Sequence, residues 1–312
     1  MSDAAHIRQR QATSADGQKR DLTYPPLPEA LTVPVYDNHT HLEIEDGEGL
    51  DHREHLDRAS SVGIRGVVQV GNDVATSRWS AEIAAREPRV LAAVALHPNE
   101  APRLAAAGTL DESIAVIDEL AGRPRVRAVG ETGLDWFRVD EAAEFGLDEQ
   151  AARRAQHESF EAHIEIAKRH GLALQIHDRN AHDDVVETLK RVGAPEMTVF
   201  HCFSGDTALA RVCADNGWYM SFAGTVTFKN AEPLREALRQ APRNLIMVET
   251  DAPFLTPTPH RGRPNSPYLI PLTLRSMAET IGTDVSMLAA QITSTTELVY
   301  GTWESEPPLI DE

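Results

Sequence analysis

Residues 33–41 read VPVYDNHTH, a short apolar, β-branched run that ends on two histidines two positions apart. A run of this length bounded by polar residues suits a buried strand, and side chains two apart on a strand project to one face. His39 and His41 can therefore grip a single ion. The same grammar recurs along the chain: strands are predicted at 33–36, 66–70, 90–96, 126–129, 172–176, 197–200, 218–222 and 245–248. Between them apolar residues follow the helical period, with Leu110, Ile114, Ile117 and Ala121 on one face and Phe160, Ile164 and Ala167 on another, ahead of a Gly171 stop. Eight strand–helix units predict an α/β fold, a (β/α)8 barrel of the TIM type with room for distortion, whose active site lies at the C-terminal ends of the strands. A doubly wound sheet is the alternative, but no glycine-rich fingerprint follows the first strand.

Working outward, residues 1–30 are polar, show neither period, and read as a flexible N-terminal arm; residues 31–302 form one catalytic barrel domain, and 303–312 an acidic tail. The composition, 41% hydrophobic and 25% charged, is that of a globular protein. Cys202 and Cys213 have neither disulfide-framework nor thiolate-metal spacing. With no apolar run long enough to span a bilayer and no signal-peptide core, a soluble, cytoplasmic protein without membrane association is expected. No obligate protein partner is evident. The net charge of −18 argues against a broad nucleic-acid interface, because such affinity comes from cations that neutralise phosphates.

The informative pattern is where ligand-type side chains fall. His39 and His41 close the first predicted strand, Glu131 the fourth, His177 the fifth, His201 the sixth and Asp251 the eighth. Six ligands at one end of five strands exceed the needs of one tetrahedral ion, so two divalent ions are predicted, zinc, manganese or magnesium by their nitrogen and oxygen donors. Glu131 and Asp251 are the candidate catalytic carboxylates. His97 closes the third strand and is a candidate substrate contact. Arg179, Lys229, Arg261 and Arg263 follow strand ends and are candidates to hold phosphates, and Trp136 with Phe137 to stack a base. His6 falls in the arm. His52, His55, His157, His163, His170 and His182 read as solvated surface.

The motifs DNHTHLE, LHPNEA, AVGETGLDW, QIHDR, FHCFSG, SFAGTVTFKN, ETDAPFLTP and RGRPNSP, spread over roughly residues 35–300, resemble those of TatD-type metal-dependent deoxyribonucleases, within the amidohydrolase-like barrels. The resemblance implies that His39, His41, Glu131 and Asp251 hold one metal, that Glu131, His177 and His201 hold the other, and that Glu131 bridges them. It implies a two-metal hydrolase, a 3′–5′ exonuclease or phosphodiesterase acting on DNA. Asn99, Trp136 and the segment STTELVYG depart from the family pattern without removing a ligand. A small-molecule amidohydrolase or a D-aminoacyl-tRNA deacylase is the alternative, and a non-catalytic binding barrel comes last. The acidic residues Glu43, Glu45, Asp46, Glu48 and Asp51 after the first strand, and Asp135, Asp140, Glu141, Glu144 and Asp148 after the fourth, predict a mouth that repels duplex and takes short single-stranded DNA ends.

Overall fold

The structure, a computed structural model, describes residues 6–13, 17–47 and 49–303. Eight strands, β1 (Val35–Thr40), β2 (Ile64–Val70), β3 (Val90–Val94), β4 (Val126–Asp135), β5 (Ala173–Arg179), β6 (Thr198–Phe200), β7 (Tyr219–Phe222) and β8 (Ile246–Val248), pair in parallel, each with its chain neighbour. They are the eight predicted strands. Closure lies just beyond β8, where Asp251 N–H donates to His39 O (2.9 Å) and His41 N–H to Ala252 O (2.8 Å). The result is a nearly closed barrel, tied between the two segments that carry three of the proposed ligands.

Helices follow the strands: α1 (His52–Ser61), α2 (Val74–Arg86), α3 (Glu100–Ala107), α4 (Leu110–Ala121), α5 (Glu149–His170), α6 (His182–Val192), α7 (Thr207–Asn216), α8 (Glu232–Gln240), α9 (Ile270–Ile281) and α10 (Val285–Tyr300). Their predicted apolar faces are the packed ones: Leu110, Ile117, Ala121, Phe160, Ile164 and Ala167 are buried, and Gly171 ends α5 in the left-handed conformation. Strands β4 and β5 run further than their apolar segments suggest, paired through Thr132–Ile176 to Asp135–Arg179. The added residues, GETGLD and HDR, are mostly glycine or polar, and such a run hides a strand from a reading based on apolar runs.

The N-terminal segment corrects the expectation of a flexible arm. Arg8–Gln9 pairs in parallel with Ile44–Glu45, and the Arg20 guanidinium donates to both oxygens of buried Asp46 (2.9 and 2.6 Å). Tyr24 is buried and its hydroxyl donates to Asp46 O (2.8 Å). A carboxylate buried at this depth requires paired cations, and Arg10 and Arg20 supply them, so ion pairing holds a segment that lacks any apolar period. At the other end Trp303, expected to open the tail, is buried and stacked on Tyr36 (4.0 Å between centroids), so the barrel reaches one residue further. The rest of that tail, like Glu48, lies outside the described residues.

Two histidines expected on the surface are core residues. His163 accepts a hydrogen bond from Leu96 N–H (3.0 Å), its Nδ1 lies 2.6 Å from Ser159 O, and burial pushes its pKa down to about 4. His55 is buried between Tyr24 and Ser266. Helical position did not reveal their burial, because local polar partners let an imidazole sit on an inward face. His52, His157, His170 and His182 are half-buried.

Candidate metal centre

A cavity of about 650 Å³ opens at the C-terminal mouth, and all of the predicted ligands but His39 line it; His39 is fully buried directly beneath. Glu131 sits at its centre. Its Oε1 lies 3.4 Å from His41 Nε2 and 3.8 Å from His39 Nε2, whereas its Oε2 lies 3.0 Å from His201 Nε2 and 3.1 Å from His177 Nδ1. Asp251 Oδ1 completes the first group, 3.6 Å from His41 Nε2 and 3.9 Å from His39 Nε2. Two donor sets thus share one carboxylate, one oxygen each.

Local sequence explains how Glu131 reaches this place. The pairing of β4 with β5 breaks register between Val129 and Thr132, and such an irregularity re-aims a side chain. The flanking glycines permit it: a Cβ on Gly130 would lie 2.4 Å from Gln175 Cβ, and one on Gly133 2.0 Å from His177 O. Asp251 adopts a left-handed backbone (φ 54°), which turns the chain after β8 back over the barrel mouth.

A second layer orients the imidazoles. His39 Nδ1 meets Gln175 Oε1 (3.0 Å), His41 Nδ1 meets Val70 O (3.0 Å), and His201 Nδ1 meets Glu249 Oε1 (3.1 Å). In the neutral tautomer that donates from Nδ1, each Nε2 offers a lone pair to the centre. The Nε2 atoms of His39 and His41 are only 3.2 Å apart, so once His41 gives up its extra proton two lone pairs face each other and a cation between them would relieve the repulsion. The donor set fits divalent ions on this ground. Gln175 and Glu249 were missed in the sequence, as was Asp37, which accepts from Thr250 and from His39 N–H (3.2 Å). Each stands two positions before a proposed ligand on the same strand or its continuation, so the period-two rule that paired His39 with His41 would have found the inward layer below them.

Electrostatics follow the same arrangement. Burial would lower the His41 pKa, but hydrogen bonding to Asp251, Glu131 and Glu43 outweighs it and holds the group well above the ordinary histidine value. His201 is likewise raised against its burial, by Glu131 and Glu249. Burial brings His97 down to about 3. Asp135 would be raised by burial, yet its contact with His177 (3.2 Å) brings it to about 2. Raised histidines carry protons into the neutral range, and those protons compete with a metal. Metal affinity is therefore expected to rise with pH, by up to about a hundredfold per unit while both His41 and His201 must deprotonate. Calorimetric titration with Mn²⁺ between pH 6 and 8 checks this, and a pH-independent affinity would exclude these two histidines as ligands.

The predicted substrate contacts divide. His97 lines the cavity, with Nε2 3.8 Å from Glu131 Oε2. Arg179 lines it too, its guanidinium 3.9 Å over the ring of exposed Phe137. Trp136, Lys229, Arg261 and Arg263 are not among the lining residues. Trp136 donates from Nε1 to Asp184 (2.7 Å) beneath Arg153, Arg261 lies over Phe228, and Arg263 donates to the carbonyls of Thr23 and Tyr24 (2.8 Å each). A position after a strand end did not bring these four into the cavity, and Trp136, Arg261 and Arg263 are held instead by partners from other segments of the chain. The predicted acidity of the mouth is also smaller than its residue count. Glu43 accepts from Gln69, Asp46 is paired with Arg10 and Arg20, Asp135 meets His177 and Asn99, and Asp51 and Asp148 cap helices.

A family model described as TatD related DNase matches residues 36–301. A Mycobacterium tuberculosis protein described as an uncharacterized metal-dependent hydrolase TatD is 42% identical over 268 residues, covering 86% of this chain and 98% of that protein. A Bacillus subtilis protein described as the uncharacterized metal-dependent hydrolase YabD is 34% identical over 246 residues, 78% of this chain and 90% of its own. The crystal structure of YJJV, a TatD homolog from Escherichia coli, shares the fold with a TM-score of 0.74 at 24% identity, covering 86% of this chain and 98% of that one. Among the described residues no helix is long and apolar enough to cross a membrane.

Proposed function

The chain belongs to the family of TatD-related DNases, metal-dependent hydrolases, and on that premise we propose that it is a two-metal phosphodiesterase that trims single-stranded DNA from the 3′ end. The observation that carries this reading is the division of Glu131, one oxygen toward His39 and His41 and the other toward His177 and His201. His39, His41, Glu131 and Asp251 would hold one ion, and Glu131, His177 and His201 the other. Two such ions supply water ionised near neutral pH and offset the charge that develops on phosphoryl oxygens.

The chain's own groups complete the chemistry. Burial would raise the Asp251 pKa, but the hydrogen bond with His41 and the charges of His201 and His39 outweigh it, so the carboxylate is ionised at neutral pH. Its side chain retains some exposure to the cavity, where it can accept the proton of the attacking water. Arg179 stands on the same wall as a cation for a phosphate, and its guanidinium offers the paired N–H groups that such an oxyanion takes. Among the described residues no lysine lines the cavity, which favours this reading over the amidohydrolases whose metals share a modified lysine.

The test is hydrolysis of a 5′-labelled single strand, linear and circular, beside a dinucleotide, a cyclic amide and an acylated tRNA, each with Mn²⁺, Mg²⁺ or Zn²⁺. Shortening of the linear strand from its 3′ end is expected, with a rate that climbs between about pH 6 and 8 and vanishes on chelation. Turnover of the cyclic amide or the acylated tRNA without attack on any strand would replace this function with the corresponding alternative.

A further inference from the structure

We propose that the surface around Trp79, beside the catalytic mouth, is a second binding site for single-stranded DNA that holds nucleotides next to the one being released; the proposal rests on the nuclease reading. Trp79, on α2, is half-buried and lines two cavities, one of about 580 Å³ and one of about 210 Å³. Its ring already receives flat partners: His6 stacks parallel to it (5.1 Å between centroids, 11° between planes) and His52 meets it edge-on (6.0 Å, 83°). An accessible indole with this stacking geometry suits a nucleobase.

Cations surround the same ring. Arg78 lines the larger cavity, Arg53 and Arg86 the smaller; all three are exposed, Arg78 and Arg86 form no ion pair among the described residues, and Arg53 lies in the field of Asp51. These guanidinium groups offset the carboxylates of Asp73, Glu82, Glu87 and Glu112 that line the same two cavities, so the surface around Trp79 is near neutral within a chain of net charge −18. Glu82 and Glu112 also line the larger cavity; they oppose phosphate there and can accept from the exocyclic amine of a base. The site therefore suits a base with one or a few phosphates rather than a long track.

The surface is continuous with the mouth. Arg8 lines the catalytic cavity and pairs with Asp73, which lines the Trp79 cavity (2.5 Å). Glu100 lines the catalytic cavity and pairs with Arg103 on the other side (2.5 Å). A strand leaving the metals need cross only this rim of two ion pairs to reach Trp79. His6 and Arg8 belong to the N-terminal segment that precedes the family match at residue 36, whereas Trp79 and Arg78 lie within it.

The experiment compares kcat/KM for oligothymidylates of two and ten nucleotides on the full metal-loaded chain. The wild type should favour the decamer by about tenfold, and Trp79→Ala should remove most of that ratio, as expected for the loss of base stacking. Arg78→Glu should lower the same ratio and make the salt dependence of decamer binding shallower by about 0.7 for each phosphate that is no longer neutralised. Arg211→Glu, an exposed charge reversal on α7, should keep the wild-type ratio. Arg78→Glu also serves if Trp79→Ala fails to fold, since Arg78 is exposed. A decamer ratio near one in the wild type, or one unchanged in both Trp79→Ala and Arg78→Glu, overturns the second site while leaving the nuclease intact. A wild type that cleaves neither oligonucleotide removes the nuclease reading, and this site with it.

Discussion

Glu131→Ala is expected to reduce turnover to background and to release metal from both halves of the site. Its two oxygens face different donor groups at 3.0 to 3.8 Å, so one truncation takes a ligand from each. The loss is also electrostatic. Burial would raise the Glu131 pKa, and the surrounding histidines reverse that and hold it well below the usual carboxylate range. Removing the charge leaves His39, His41, His177 and His201 converging without their shared anion, and would take from two bound divalent ions the group that screens one from the other. A fall in kcat of at least about 10⁴ is expected, in line with the loss of a metal-centred reaction. His201→Ala should deplete chiefly one ion, because its Nε2 approaches only Oε2. Elemental analysis of the two purified variants decides the matter: full retention of both ions in Glu131→Ala would show that it bridges nothing.

Asp251→Asn is expected to separate metal binding from proton transfer. The amide keeps an oxygen where Asp251 Oδ1 lies, 3.6 Å from His41 Nε2, so much of the metal content should remain, whereas the amide cannot take a proton from water. A fall in kcat of about 10² to 10⁴ is the expected cost of losing a positioned base. The fall should exceed the loss of metal by orders of magnitude. Asp251→Ala should lose metal as well, since it removes the oxygen. A kcat for Asp251→Asn within a few-fold of wild type, at equal metal content, would assign the proton to another acceptor. Asp135, which sits at the same mouth against His177, would be the first to test.

The sequence by itself determined the barrel and set the candidate metal ligands at its mouth. Both are written in local order: a β-branched run folds as a strand, and a ligand-type residue where that run ends must lie at the C-terminal mouth once parallel strands close. Residues 33–41 show this in miniature, because a spacing of two on a strand is a statement about direction that survives any tertiary arrangement. What only the tertiary structure decided is everything set by approach across the sheet. Gln175 orients His39 from a strand 136 residues away, and Glu249 orients His201 from one 48 away, and no local pattern encodes such pairings. The same holds for the division of Glu131 between two donor sets, which depends on a break in register beside glycines that let two backbones meet. It holds for the N-terminal segment, whose polar composition predicted freedom, while a buried Asp46 elsewhere in the fold supplied the charge that ties it down. And it holds for Arg263 and Trp136, whose position after strand ends did not bring them into the cavity and whose side chains are held by carbonyls and a carboxylate from other segments of the chain. Periodicity fixes which way a side chain leaves the backbone; the partner it meets is fixed by long-range packing, where burial makes every unpaired charge costly and so selects one arrangement.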